Sequence, residues 1–232
     1  MSYQYRYFNS SPEIIRLAIL MYIKYPLSLR HVEDLLFERG IDICHETVRL
    51  WWNRFGPAIA TKIRKKRTSY PKQYSNWRWH IDEVFVKIGG KTHYLWRAVD
   101  HEGEVLDAIV TKRRDKKAAL KVLKYLIKRY GRPTAIVTDK LRSYKAAMKE
   151  LGCQNKQEAG GRLNNRAENS HLPFRRREYA MQGFRKEATL QKFTSIHSQI
   201  YNHFNGERHL VNRQTFKEFR SETMTEWRTF LA

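Results

Sequence analysis

Trp77-Arg78-Trp79-His80-Ile81-Asp82-Glu83-Val84-Phe85-Val86-Lys87-Ile88 is dense in β-branched and aromatic residues and runs into Gly89-Gly90. That pattern predicts a β-strand entering a hairpin. Asp82 stands among Ile81, Val84 and Val86. A carboxylate in an apolar strand is costly to bury unless it gains a partner or a cation. Taken singly, such an acid is most simply explained by a sheet edge or a nearby arginine. A second apolar strand, Ala135-Ile136-Val137-Thr138, ends in a second acid, Asp139. Two acids so placed call for a joint explanation.

The elements between them supply it. Residues 92–99 and 104–111 read as strands joined by the turn Asp100-His101-Glu102-Gly103, so the first three strands form an antiparallel meander. Asp115 caps a long helix whose Ala119, Val122, Leu123, Leu126, Ile127 and Tyr130 make one apolar stripe, closed by Gly131 and Pro133. A crossover of that length is what parallel pairing requires. Three antiparallel strands, a helix and a strand parallel to the first describe a ribonuclease-H-like α/β fold, a mixed five-stranded sheet flanked by helices. A helix over 143–151 and a short fifth strand over 154–158 follow. Gly160-Gly161 then precedes a helix carrying Glu168. A last long helix over 189–205 buries Leu190, Phe193, Ile196, Ile200 and Phe204, and a shorter one packs through Phe216, Phe219 and Trp227.

The amino-terminal part has a different character. Ser11-Pro12-Glu13 opens a helix to about Lys24 that is expected to bury Ile14, Leu17, Ala18 and Met21. Ser28 caps a second, with Val32, Leu35 and Leu36 inward and Gly40 at its end. A third helix spans about residues 45–55, with Val48, Trp51, Trp52 and Phe55 on one face and Glu46, Arg49 and Asn53 on the other. This is a helix-turn-helix plan, in which Arg49 and Asn53 have side chains suited to guanine and adenine edges. The alternative is a plain three-helix bundle with a solvated polar face. Lys62-Ile63-Arg64-Lys65-Lys66-Arg67 is expected to be a basic linker in contact with phosphate. The expected domains are therefore 1–60 helix-turn-helix, 61–74 linker, 75–210 catalytic, and 211–232 a helical tail.

A formal charge of +22 over 232 residues makes double-stranded nucleic acid the first partner to consider. No apolar run approaches the roughly 18 residues of a spanning helix, and no signal-peptide pattern opens the chain, so no membrane is expected. Cys44 and Cys153 match no zinc spacing and suggest no disulfide framework, which fits a cytoplasmic protein.

Mg²⁺ takes oxygen ligands, keeps several waters, and is commonly held by one or two carboxylates plus substrate phosphate oxygens. Asp82 and Asp139 supply two acids, and Glu168 is the best third. Glu168 also fits a capping box with Asn165, which would make it purely structural; catalysis is preferred because two acids already want a third. Glu158 and Glu178 are the substitutes. Arg175, seven residues on, can project from the same helix face toward phosphate, with Arg176 beside it, although Pro173 intervenes. Glu83 alternates to the face opposite Asp82, and His80 reads as a neighbour rather than a ligand.

Trp79-His80-Ile81-Asp82-Glu83, Val137-Thr138-Asp139 and Asn164-Asn165-Arg166-Ala167-Glu168-Asn169-Ser170-His171 together resemble the acidic-triad motifs of insertion-sequence (IS) family six transposases. The likeness extends over nearly the whole chain. It implies Asp82, Asp139 and Glu168 as metal-binding catalytic acids and Arg175 as the basic residue after them. It further implies recognition of terminal inverted repeats and strand cleavage and transfer giving cointegrates, with Mg²⁺ as cofactor and Mn²⁺ able to substitute. A homo-oligomer, at least a dimer, acting in the bacterial nucleoid is expected, since two DNA ends must be held at once. The other readings are a ribonuclease-H-like nuclease without strand transfer and a non-enzymatic helix-turn-helix regulator.

Overall fold

The computed structural model describes residues 5, 7–69, 78–139, 141–160, 162–206 and 211–230, with backbone alone at 67–69 and 162. The chain divides into two compact units: Tyr70–Glu178 with Gln182–Ser198, and Met1–Ser69 with Tyr179–Met181 and Gln199–Ala232.

The first of these is built on β1 (Arg78–Ile88), β2 (Lys91–Val99), β3 (Val105–Thr111), β4 (Ala135–Thr138) and β5 (Gln157–Ala159), joined in the order β3-β2-β1-β4-β5. β1 runs antiparallel to β2 and parallel to β4; β2 is antiparallel to β3 and β4 parallel to β5. This is the mixed α/β sheet that the element order predicts. The hairpin after β1 turns on Gly89 and Gly90 at φ +55° and +79°, a region open to glycine because it has no Cβ. The crossover helix α4 (Lys116–Tyr130) starts where Asp115 accepts the Ala118 N–H at 2.9 Å. Its Ala119, Val122, Leu123 and Leu126 bury against Trp79, Ile81, Trp96, Leu106 and Ile136. Tyr144, Ala147 and Met148 of α5 (Arg142–Glu150) complete that core. Each fully buried leucine or valine there contributes about 1.5–3 kcal/mol. Trp77, expected to open β1, lies outside the described residues. The fifth strand starts later than expected because Gln154–Lys156 first close a 3-10 turn. α6 (Asn165–Ala180) follows, then α7 (Glu187–Phe204), which begins in this unit and ends in the other.

In the second unit, α1 (Pro12–Lys24), α2 (Leu29–Phe37) and α3 (His45–Ser69) pack together, and α8 (Arg213–Thr229) belongs to the same unit. Ser11 caps α1, while Ser28 and His31 form a reciprocal capping box on α2. The α1 core face is Ile15, Ala18, Ile19, Tyr22 and Ile23, one residue round from the expected Ile14, Leu17, Ala18 and Met21; Leu17 is exposed.

The third helix does not stop near Phe55. α3 carries Gly56-Pro57 inside it and continues to Ser69. Ile59 and Ile63 prolong the stripe of Val48, Trp51, Trp52 and Phe55 and are buried with it. Pro57 has no N–H to return to the preceding turn, yet the helix carries on past it, with the Thr61 hydroxyl donating to the Pro57 carbonyl at 2.8 Å. The basic run that was expected to be a linker is therefore the end of a helix as far as residue 69. Residues 70–74 of that linker, and the Arg67 side chain, lie outside the described residues.

Candidate active site

The β1–β4 register sets Arg78 against Ala135, Trp79 against Ile136 and His80 against Val137. Two residues further along both chains, Asp82 comes level with Asp139, the first residue past β4. Neighbouring strands lie about 4.8 Å apart, so the register, continued past its last pair of His80 with Val137, runs the two acids toward the same end of this strand pair. Asp139 is held in place locally, its Oδ1 accepting the Leu141 N–H at 3.0 Å.

Three contacts lay the start of α6 over the Asp82 side of β1. The buried Asn164 donates Nδ2–H to the Ile81 carbonyl at 3.0 Å. Arg97, paired with Asp82 in the β1–β2 register, donates Nε–H to Ser170 Oγ at 3.2 Å. His171 Nε2 stands 3.2 Å from Asp82 Oδ2, in contact but off the line of a straight hydrogen bond. Burial lowers the His171 pKa, against the opposing pull of Asp82. Glu168 follows Asn164 by one turn and precedes His171 by one turn. Glu168 therefore lies within the stretch of chain anchored at Ile81 and Asp82, with its own side chain exposed. Asn165 is the first residue inside α6 rather than its cap, so the capping box considered for Glu168 lacks its cap.

Glu83 takes the face opposite Asp82, as strand alternation requires, and its side chain is fully buried. Its two oxygens accept from Arg114 Nε and from the Tyr144 hydroxyl. Burial raises the Glu83 pKa, and these two hydrogen bonds oppose the rise. The Tyr144 phenol is pushed well above its ordinary value, first by burial, then by the charge of Glu83, with Asp82 and Asp139 adding in the same direction. Arg114 continues to Asp139, donating Nη2–H to Oδ2 at 3.1 Å. Glu83, Asn164, Ser170 and His171 fall inside the motifs quoted from the sequence but were given no supporting role there, and Arg114 and Tyr144 were not singled out for the site. Glu83 carried a physical signal of its own, an acid turned onto the buried face of a strand, which has to find a partner.

Among the substitutes for Glu168, Glu158 pairs with Arg78 at 3.0 Å and Glu178 pairs with Arg175. The Arg175 guanidinium is engaged by Glu178 and by the Phe85 carbonyl at 2.7 Å; Arg176 is exposed. On α3, Arg49 and Asn53 are exposed, Arg49 within 3.2 Å of Glu46 and Asn53 donating to the Arg49 carbonyl at 2.9 Å. Lys62, Lys65 and Lys66 are exposed, Arg64 is half-buried, and Lys66 pairs with Glu226. Among the described residues, no three His, Cys, Asp or Glu side chains stand close enough to hold a metal ion by themselves. No described helix is long and apolar enough to cross a membrane.

The DDE-domain family profile of IS240-type transposases matches residues 76–207, more than half of the chain and all three acids. The transposase for insertion sequence-like element IS431mec of Staphylococcus aureus is 40% identical over 149 residues, 64% of this chain and 63% of that protein. The transposase for insertion sequence element IS257 in transposon Tn4003, also of Staphylococcus aureus, is 39% identical over the same length. The matched stretch thus spans a little under two thirds of these relatives. An uncharacterized protein of Methanocaldococcus jannaschii, MJ0017, is 29% identical over 193 residues, 83% of this chain and 84% of that one. Among solved structures, the simian T-cell lymphotropic virus intasome in complex with PP2A regulatory subunit B56 gamma has a TM-score of 0.41 at 16% identity, covering 80% of this chain and 64% of that chain. That likeness is too loose to argue from. The profile match and the identity to the two staphylococcal proteins carry the assignment: the chain belongs to the DDE-domain transposases of insertion-sequence (IS) family six.

Proposed function

We propose that this chain is the transposase of a bacterial insertion sequence, binding the element's terminal inverted repeats, cutting at their 3′ ends and joining those ends to target DNA to give cointegrates. The observation that supports this reading is the β1–β4 register, which runs Asp82 and Asp139 to the same end of one strand pair, with Glu168 one turn from Asn164 and from His171, which touch Ile81 and Asp82. All three offer oxygen donors, the set a hard divalent ion prefers. Carboxylates completed by waters and phosphate oxygens serve Mg²⁺ without a closed protein cage. Asp82, Asp139 and Glu168 would hold Mg²⁺, with Mn²⁺ able to replace it. When bound, the ions would supply charge that activates the attacking oxygen and steadies the leaving one in an in-line displacement at phosphorus.

The chain's own residues keep those acids in position. The Leu141 N–H fixes one oxygen of Asp139, His171 lies against one oxygen of Asp82, and Asn164 anchors the start of the helix that presents Glu168. In the first step a water oxygen bonds to phosphorus while the bond to the 3′ oxygen breaks, and that oxygen leaves as a 3′-hydroxyl. In the second step this hydroxyl bonds to a target phosphorus, displacing the target's own 3′ oxygen.

DNA handling falls to α3 and α6. Arg49 and Asn53 would read base edges, and Lys62, Arg64, Lys65, Lys66 and Arg67 would meet phosphates from further along the same helix. Arg175 and Arg176 would do so beside the acids. Lys66 and Arg175 must first exchange Glu226 and Glu178 for phosphate. At least two copies would hold two ends, on the nucleoid in the cytoplasm, with no membrane involved.

The test is to incubate the protein with an end-bearing duplex and Mg²⁺ and look for nicked and joined products. Nicks alone would make it a nuclease; binding without nicks would make it a regulator. Asp82→Asn or Glu168→Gln is expected to abolish both products while leaving end binding intact. Full activity in either variant removes that acid from the mechanism.

A further inference from the structure

One guanidinium joins two carboxylates that have very different surroundings. Glu83 is fully buried, and Arg114, 38% exposed, donates to it through Nε. The same Arg114 donates through Nη2 to Asp139 Oδ2 at 3.1 Å, where the Asp139 side chain is 36% exposed. Tyr144 takes the second oxygen of Glu83, and the Leu141 N–H takes the second oxygen of Asp139. A buried carboxylate stripped of its cationic partner is strongly destabilising, so Glu83 holds Arg114 in place at its Nε edge. Asp139, by contrast, is reached from solvent, and a carboxylate offers about four acceptor sites, so an arriving ion can meet it beside Arg114.

We propose that Arg114, tethered by Glu83, is the counter-ion that occupies Asp139 in the cation-free protein and yields that carboxylate when a divalent ion arrives. This rests on the reading of Asp139 as a metal ligand. Arg114 is thus a positioning residue: it steers the Asp139 carboxylate and offsets its repulsion with Asp82 while no cation is present. It also sets a threshold, since an arriving ion has to displace one positive charge and tolerate its continued nearness. A unit charge facing a doubly charged ion across about 5 Å at water-like screening weakens binding by about tenfold.

The experiment is a calorimetric Mn²⁺ titration of the full chain without DNA, paired with thermal unfolding with and without Mn²⁺. It compares the wild type, Arg114→Met, the double variant Glu83→Gln with Arg114→Met, and Asp139→Asn. The double variant removes both charges and so keeps a foldable core if the single one does not fold. The expected result is Mn²⁺ binding about tenfold tighter in the Arg114→Met background, a lower metal-free Tm, and a larger Mn²⁺-induced rise in Tm than the wild type shows. Unchanged or weaker Mn²⁺ binding in that background, with the same Mn²⁺-induced rise, overturns the proposal and leaves Arg114 a purely structural residue. Wild-type Mn²⁺ affinity in Asp139→Asn overturns the reading of Asp139 itself, a failure visible independently of Arg114.

Discussion

Replacing His197 with leucine is expected to remove a defined part of the protein's sensitivity to acid. His197 lies on α7, fully buried, its ring stacked on Phe193 at 5.6 Å between centroids. Burial first, then the positive charges of Arg97 and Arg177, press its pKa from 6.5 down to about 3. The folded protein therefore keeps this ring neutral, while the unfolded chain protonates it below pH 6.5 or so. Between those two values the unfolded state binds the extra proton, so stability falls as pH falls. Each pKa unit is worth about 1.4 kcal/mol, so going from about pH 7 to about pH 5 removes about 2 kcal/mol through this residue alone. Burial also lowers His80 and His171, and both add to the slope of the wild type. The difference between the wild type and His197→Leu isolates the one ring, because any packing change from leucine shifts stability equally at every pH. Urea unfolding followed by tryptophan fluorescence, at about pH 7, 6 and 5, gives the two curves. The wild type should lose about 2 kcal/mol more than the variant over that span. Parallel curves would refute the reasoning, since they require a ring already protonated or hydrated in the folded state.

Asn164→Ala leaves the Ile81 carbonyl unsatisfied beside the site. It should cost about 1–3 kcal/mol and slow strand cleavage while DNA retention in a filter assay is unchanged; normal cleavage would detach Asn164 from the placing of Glu168. Tyr144→Phe takes a donor from buried Glu83, with an expected loss of about 1.5–3 kcal/mol. Because burial already raises the Glu83 pKa, its ionisation costs stability as pH climbs above the ordinary carboxylate range, and loss of the phenol should steepen that fall in a pH series of unfolding curves. Ile63→Ala opens a cavity on the buried face of α3 and should cost about 2–5 kcal/mol in thermal unfolding. No loss would return residues 61–69 to a solvated linker.

The parts of this fold that were legible in the sequence are those governed by local rules. The Asp115 cap, the Gly89-Gly90 turn and the stripe of α4 are each set within a few residues, and alternation along β1 was enough to separate Asp82 from Glu83. Two misreadings were local as well. The third helix is expected to end near Phe55, yet Ile59 and Ile63 extend its apolar stripe, and tertiary burial overrides the cost of Pro57 when such a stripe continues. On α1 the apolar positions run most of the way round, and Glu13 and Lys24, at opposite ends of the helix, are the residues that flank Leu17, so the shift from the Ile14–Leu17 face to the Ile15–Ile19 face is settled by packing. What stayed hidden is the support around the acids. Arg97 meets Ser170 across 73 residues, Tyr144 meets Glu83 across 61, and Arg114 reaches Glu83 across 31. No spacing rule connects such pairs. The acids declare themselves because a charge in an apolar strand violates a local expectation. Their partners do not, because an arginine in a loop and a tyrosine on a helix violate nothing until the chain closes around them.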